Sequence, residues 1–128
     1  MSYIPGLGVL TPLFILDGAD MQSTADQQFT KLGNFTNWIL LDVYATRKTG
    51  GATVACSGGI YSAASKGGTA TIGAGQSWLG LSGGNKYVHV FDPTTNNGYN
   101  ITTPYLSLTT GSTAACTATF RIYGRILD

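Results

Sequence analysis

The stretch CTATFRIYGRIL, residues 116–127, alternates between apolar and polar positions almost without a break. Cys116, Ala118, Phe120, Ile122 and Ile126 point one way, and Thr117, Thr119, Arg121, Tyr123 and Arg125 point the other. A period of two held over such a run fits no helix, whose side chains return to one face roughly every 3.6 residues. The segment TNWILLDVYATRK, residues 36–48, predicts a second long strand. Strict alternation there places Ile39, Leu41, Val43 and Ala45 on an apolar face. Trp38, Leu40, Asp42, Tyr44 and Thr46 fall on a mixed one. That division suits a sandwich strand whose outer side is partly covered.

Shorter segments follow the same rule. ATVACSGGIYSAAS, 52–65, reads as a strand interrupted at Gly58-Gly59, where a bulge or a bend between sheets is expected. KGGTATIGAG reads as a short edge strand, QSWLGL as a brief strand, and KYVHVFD, 86–92, as a strand presenting Tyr87, His89 and Phe91 opposite Val88 and Val90. PYLSLTT, 104–110, is another strand, and Asn97-Gly98 marks a tight turn before it. The chain thus predicts about seven to nine strands with turn signals roughly every eight to twelve residues, the pattern of a β-sandwich. The expected fold is an all-β, single-domain antiparallel β-sandwich, jelly-roll-like, over residues 26–128. Residues 1–25 read either as an extended N-terminal arm or as the first strand, because Pro5 and Pro12 forbid a helix. Within them Leu13, Phe14, Ile15 and Leu16 require burial, against either a neighbouring subunit or the chain's own sheet.

Composition sharpens this picture. Charged residues make up 10% of the chain, against roughly a quarter in an average soluble domain, and glutamate is missing altogether. With 18 Thr and 9 Ser the polar surface carries hydroxyls instead, which dock against protein with little Coulombic repulsion. The net charge is +1 and the seven cations are scattered, so nothing forms the basic stripe that nucleic acid requires, and no direct nucleic-acid partner is expected. No run reaches the roughly eighteen apolar residues of a membrane helix, and the apolar N-terminal stretch lacks the basic start of a signal peptide; no membrane partner is expected. Cys56 and Cys116 with a single histidine make no zinc pattern, and read as two small apolar strand residues or as one disulfide.

One stretch imitates an enzyme. Gly80-Leu81-Ser82-Gly83-Gly84 matches G-x-S-x-G, with His89 and Asp92 close behind. A nucleophile elbow needs a strand, a sharp turn and then a helix, with the acid ahead of the histidine. Here the turn leads into the strand KYVHVFD and the acid follows the histidine, so no catalytic residue is assigned. The aspartates form neither a calcium loop nor a carboxylate pair, GAGQSW and SKGG break the phosphate-loop patterns, and no cofactor or metal is expected. Asn34-Phe35-Thr36 and Asn100-Ile101-Thr102 fit the glycosylation acceptor pattern with no export signal beside them. What remains is an aromatic inventory set among hydroxyls, of which Trp78 and Tyr99 are the candidate surface contacts.

The segments ADQQFTKLGNFTNWILLDVYATRKTGG, GGIYSAASKGGTA and TPYLSLTTGSTAACTATFRIYGRIL resemble the small β-rich head proteins of tailed bacteriophages that serve as capsid cement or decoration. The resemblance implies a non-enzymatic virion protein on the capsid surface, made in the host cytoplasm during assembly. It implies the major capsid protein as partner and a homo-oligomer, a trimer being favoured, with no residue-by-residue functional motif. Leu13, Phe14, Ile15 and Leu16 are then the candidate inter-subunit contacts. The alternative reading is a carbohydrate- or receptor-binding module of a head fibre or tail tip, stacking sugars on Trp78 and the tyrosines.

Overall fold

The computed structural model describes residues 11–51, 53–79, 81, 87–91 and 103–127. Among these residues there is no helix, and nine strands form two antiparallel sheets. The strands are β1 (Thr11–Asp20), β2 (Gln27–Gln28), β3 (Thr30–Lys31), β4 (Trp38–Gly50), β5 (Ser57–Ala63), β6 (Gly67–Ile72), β7 (Tyr87–Phe91), β8 (Tyr105–Thr110) and β9 (Cys116–Ile126). One sheet has the order β3-β1-β9-β4-β7, the other β2-β8-β5-β6. The pairings are nested: β1 with β9, β2 with β8, β4 with β7 and β5 with β6, as in one long hairpin. Folding that hairpin over itself adds the β4–β9 and β5–β8 pairings and makes two layers.

The alternation of β9 is realised as its sequence predicts. Cys116, Ala118, Phe120 and Ile122 are buried between the sheets, and Ile126 packs at the margin of the same core. β4 departs from simple alternation. Trp38 and Leu40 are buried together with Val43 and Ala45, so the core face changes parity midway. The reason is a bulge: Leu40 pairs with Gly124 and Asp42 with Tyr123, leaving Leu41 as the extra residue. At that point the strands close tightly, and a methyl group on Gly124 would collide with the Ile39 carbonyl oxygen and with Leu13 Cδ1. The interruption expected at Gly58-Gly59 is a register shift between Ser57 and Gly58, where a side chain on Gly58 would run into the Leu108 backbone.

The DQQFTKL segment joins the two layers. Gln27 and Gln28 pair with β8 in one sheet, Thr30 and Lys31 pair with β1 in the other, and Phe29 between them drops into the core. There its ring meets Phe120 edge-on at 6.3 Å. Phe120 also meets Trp78 at 5.0 Å, while Phe14 packs against Trp38 and Phe35 at 4.9 and 5.7 Å. The exposed side of β1 is closed by a side chain. The Gln27 carboxamide accepts from Asp20 N at 2.8 Å and donates to Asp20 O at 3.0 Å, taking the place of a neighbouring strand.

Candidate functional surface

The outer face of the five-stranded sheet follows from the register. Across β1, β9 and β4 the outward positions fall into rows: Pro12, Tyr123 and Asp42; Ile15, Arg121 and Tyr44; then Thr119 beside Thr46, with Asp17 next to Thr119 on the β1 side. β7 runs beside β4, its backbone pairing Phe91 with Asp42, His89 with Tyr44 and Tyr87 with Thr46. Tyr44 and Tyr123 are half-buried and meet edge to face with ring centroids 5.8 Å apart. Arg121, the register partner of Tyr44, is half-buried beside them. Thr46 donates to the Thr119 carbonyl at 3.4 Å, which ties the two central strands together by a hydroxyl.

The charges here neutralise one another locally. Lys48 Nζ lies 3.0 Å from Asp17 Oδ1, and Thr119 Oγ1 donates to the same oxygen at 2.8 Å. The hydrogen bond from Lys48, and after it that from Thr119, hold the Asp17 carboxyl below its usual range. Both partners are exposed, so solvent screens the pair and it orients the surface more than it stabilises the fold. The result is a broad, nearly neutral face with an aromatic pair and one arginine at its centre, the residue types that anchor protein interfaces.

Several expected sites lie elsewhere. Leu13 and Phe14, candidates for inter-subunit contact, are buried at 0% and 1% exposure in the chain's own core. A bulge between Pro12 and Phe14 turns both inward, and residues 11–20 are the sandwich's first strand. Leu16 packs against that same core, and of the four only Ile15 is turned to the outer face, half-buried opposite Arg121. Trp78, expected on the surface, is 0% exposed. Its indole donates to Gly58 O at 3.1 Å, its backbone N–H donates to Cys56 O, and its carbonyl accepts from Thr53 Oγ1 at 2.7 Å. It is a core anchor and offers no stacking surface to a sugar. Tyr99 lies outside the described residues, as do residues 1–10.

Of the G-x-S-x-G segment, Leu81 is buried, while Gly80, Ser82, Gly83, Gly84 and Asp92 lie outside the described residues. His89 is placed on β7 by its pairing with Tyr44, within a strand as its sequence predicts. Cys56 and Cys116 are free, buried thiols. Burial pushes Cys56 up to about 11 and raises Cys116 as well, so both stay protonated near neutrality. Among the described residues no three His, Cys, Asp or Glu side chains cluster as metal ligands. No helix among them is long and apolar enough to cross a membrane.

The Tyr44–Tyr123 pair was not singled out by periodicity, because the two residues are far apart in sequence and meet only through the β4–β9 register. The signal available was the outward parity of each strand, which put both tyrosines on a polar face without saying that the faces adjoin. Comparison of the chain with protein-family models, with curated proteins and with solved structures finds no match.

Proposed function

We propose that this chain is a structural protein of a bacteriophage virion that docks on the outside of the capsid and braces the shell, performing no reaction. The observation that carries this reading is the outer face of the five-stranded sheet. It is a rigid, nearly neutral surface of threonines around Tyr44, Tyr123 and Arg121. Such a face sheds water at low cost and presents side chains that lose little freedom on binding. The nested strand order is also what a jelly roll requires, two Greek keys wound from one hairpin, and it supports that finer description of the sandwich. On a symmetric shell modest contacts suffice, since each is repeated with every copy and linked copies gain avidity. A trimer is the assembly we favour, with the major capsid protein as partner and the virion surface as location.

The test is co-sedimentation with heads assembled from a major capsid protein of the phage whose virion contains this chain. The purified protein is expected to pellet with heads at saturable stoichiometry and to raise their melting temperature. Tyr123→Ala with Arg121→Ala should weaken that binding by about tenfold or more, as loss of central interface anchors does. Protein that stays in the supernatant at micromolar concentration overturns the proposal. Sedimentation equilibrium of the free protein reports the oligomer directly, and a monomer at all concentrations removes the trimer.

A further inference from the structure

The hairpin between β5 and β6 is closed by Ala64 to Gly67, with Gly67 N donating to Ala64 O at 3.1 Å. Its two central residues, Ser65 and Lys66, both have left-handed backbones, with φ of 58° and 56°. This is the φ pattern of a type I′ turn, which matches the twist of a hairpin but is normally filled by Asn-Gly, Asp-Gly or Gly-Gly. A side chain in that region crowds the following carbonyl, and two in succession compound the strain. Glycine is close by, since Gly67 and Gly68 follow at once, yet the central pair is Ser-Lys.

The strained turn is held in place from outside itself. Asp26 Oδ2 accepts from Ser65 N at 2.7 Å, and Ser62 Oγ accepts from Thr69 N at 2.7 Å. Ala63, Ala64, Ser65 and Lys66 are all exposed. Lys66 is exposed, and its ammonium faces solvent with no ion-pair partner among the described residues. Asp26 braces the Ser65 amide, but the Lys66 side chain has no partner among the described residues of its own chain, and a strained backbone kept at such a position points to a use for the ammonium itself.

We propose that the Ser65–Lys66 tip is a docking finger that sets its ammonium against a carboxylate of a partner protein. On the capsid reading, on which this proposal rests, that partner is the shell surface. The occupant follows from charge and rigidity together. A single cation at the end of a pinned turn complements one acidic side chain, whereas a phosphate backbone demands a row of cations. The turn is already fixed, so binding orders little more than the lysine stem. Two contact regions result, the tyrosine-bearing sheet face and the hairpin tip.

The strain makes the proposal testable, because relieving it and binding a partner pull in opposite directions. Four variants are compared in thermal melting and in co-sedimentation with heads: Ser65→Asn, Lys66→Asn, Lys66→Arg and the double change Ser65→Asn with Lys66→Gly. Ser65→Asn is expected to melt about 2–5 °C higher and to bind as the parent does, because the strain eases while the ammonium stays. Lys66→Asn and the double variant should also melt higher yet bind about tenfold or more weakly, and Lys66→Arg should retain binding. The parent's binding should fall with added salt more steeply than that of Lys66→Asn. A Lys66→Asn protein that melts higher and binds as tightly as the parent overturns the finger while leaving the capsid reading intact. A parent protein that does not bind heads removes both.

Discussion

At the scale of single residues, the core depends on side chains that pack and hydrogen-bond at once. Trp78 fills the space against Phe120 while its indole N–H satisfies the Gly58 carbonyl, in a stretch of β5 too tight for any side chain on Gly58. Trp78→Phe keeps an aromatic ring but removes that hydrogen bond and leaves a void beside Phe120. The expected cost is about 2–4 kcal/mol, read as a lower urea midpoint with an unchanged slope. A loss below about 0.5 kcal/mol would mean that the indole hydrogen bond and its fit are dispensable. Cys56 carries a second prediction. Burial raises its thiol to about 11, well above the ordinary range of an exposed cysteine. Below the unfolded value the thiol is protonated in both states and its contribution is fully present. As pH rises, the unfolded chain releases the proton first, and stability falls until the folded thiol ionises too. Urea titrations should therefore show stability declining between about pH 9 and 11, and Cys56→Ala should flatten that part of the decline. The same burial predicts that neither Cys56 nor Cys116 reacts with a thiol reagent at pH 8 until denaturant is added.

At the scale of elements, β4 separates what local sequence encodes from what pairing decides. Alternation places Leu41 inside with Val43, whereas the bulge buries Leu40 and leaves Leu41 as the extra, half-buried residue. Leu41→Thr is accordingly expected to cost less than about 1 kcal/mol, and Leu40→Thr at least about 2 kcal/mol, by chemical denaturation. The reverse order would restore unbroken alternation and move Trp38 out of the core. The elements themselves were legible because β9, β5, β6 and β8 keep one face apolar and are bounded by glycine or polar turns. The bulges of β1 and β4 were not, since an extra residue there is specified by the partner strand β9 and by the absence of a side chain at Gly124. Trp78 was misplaced for a related reason. A large aromatic in a short segment between glycines looks like a surface contact until the Gly58-Gly59 stretch beside it is seen to leave room for an indole underneath. The docking face was half legible, because each strand's outward residues could be read off while their juxtaposition could not. The Ser65–Lys66 turn carried no sequence signal of its type, the usual Asn-Gly being absent.

At the scale of the whole molecule, the two sheets are joined through β9. It lies between β1 and β4 in one sheet, and its Phe120 reaches across to Trp78 and to Phe29, the residue at which the chain crosses between layers. Removing that strand's contribution would strip both neighbours of a hydrogen-bonding partner and open the shared core, so neither sheet has an independent stable form. The molecule should then unfold as one unit. The two tryptophans test this, since Trp38 packs with Phe14 and Phe35 at one part of the core and Trp78 with Phe120 at another. In Trp38→Phe and in Trp78→Phe, the fluorescence of the remaining tryptophan and the far-ultraviolet circular dichroism should give coincident urea transitions, even though the two variants differ in midpoint. Because β1 must find β9 and β2 must find β8 across nearly the whole sequence, refolding should also be slow for a chain of this size, on the order of milliseconds to seconds. Phe120→Ala should move both transitions together by about 3–5 kcal/mol, whereas separate midpoints for the two probes would mean that the layers hold themselves up independently.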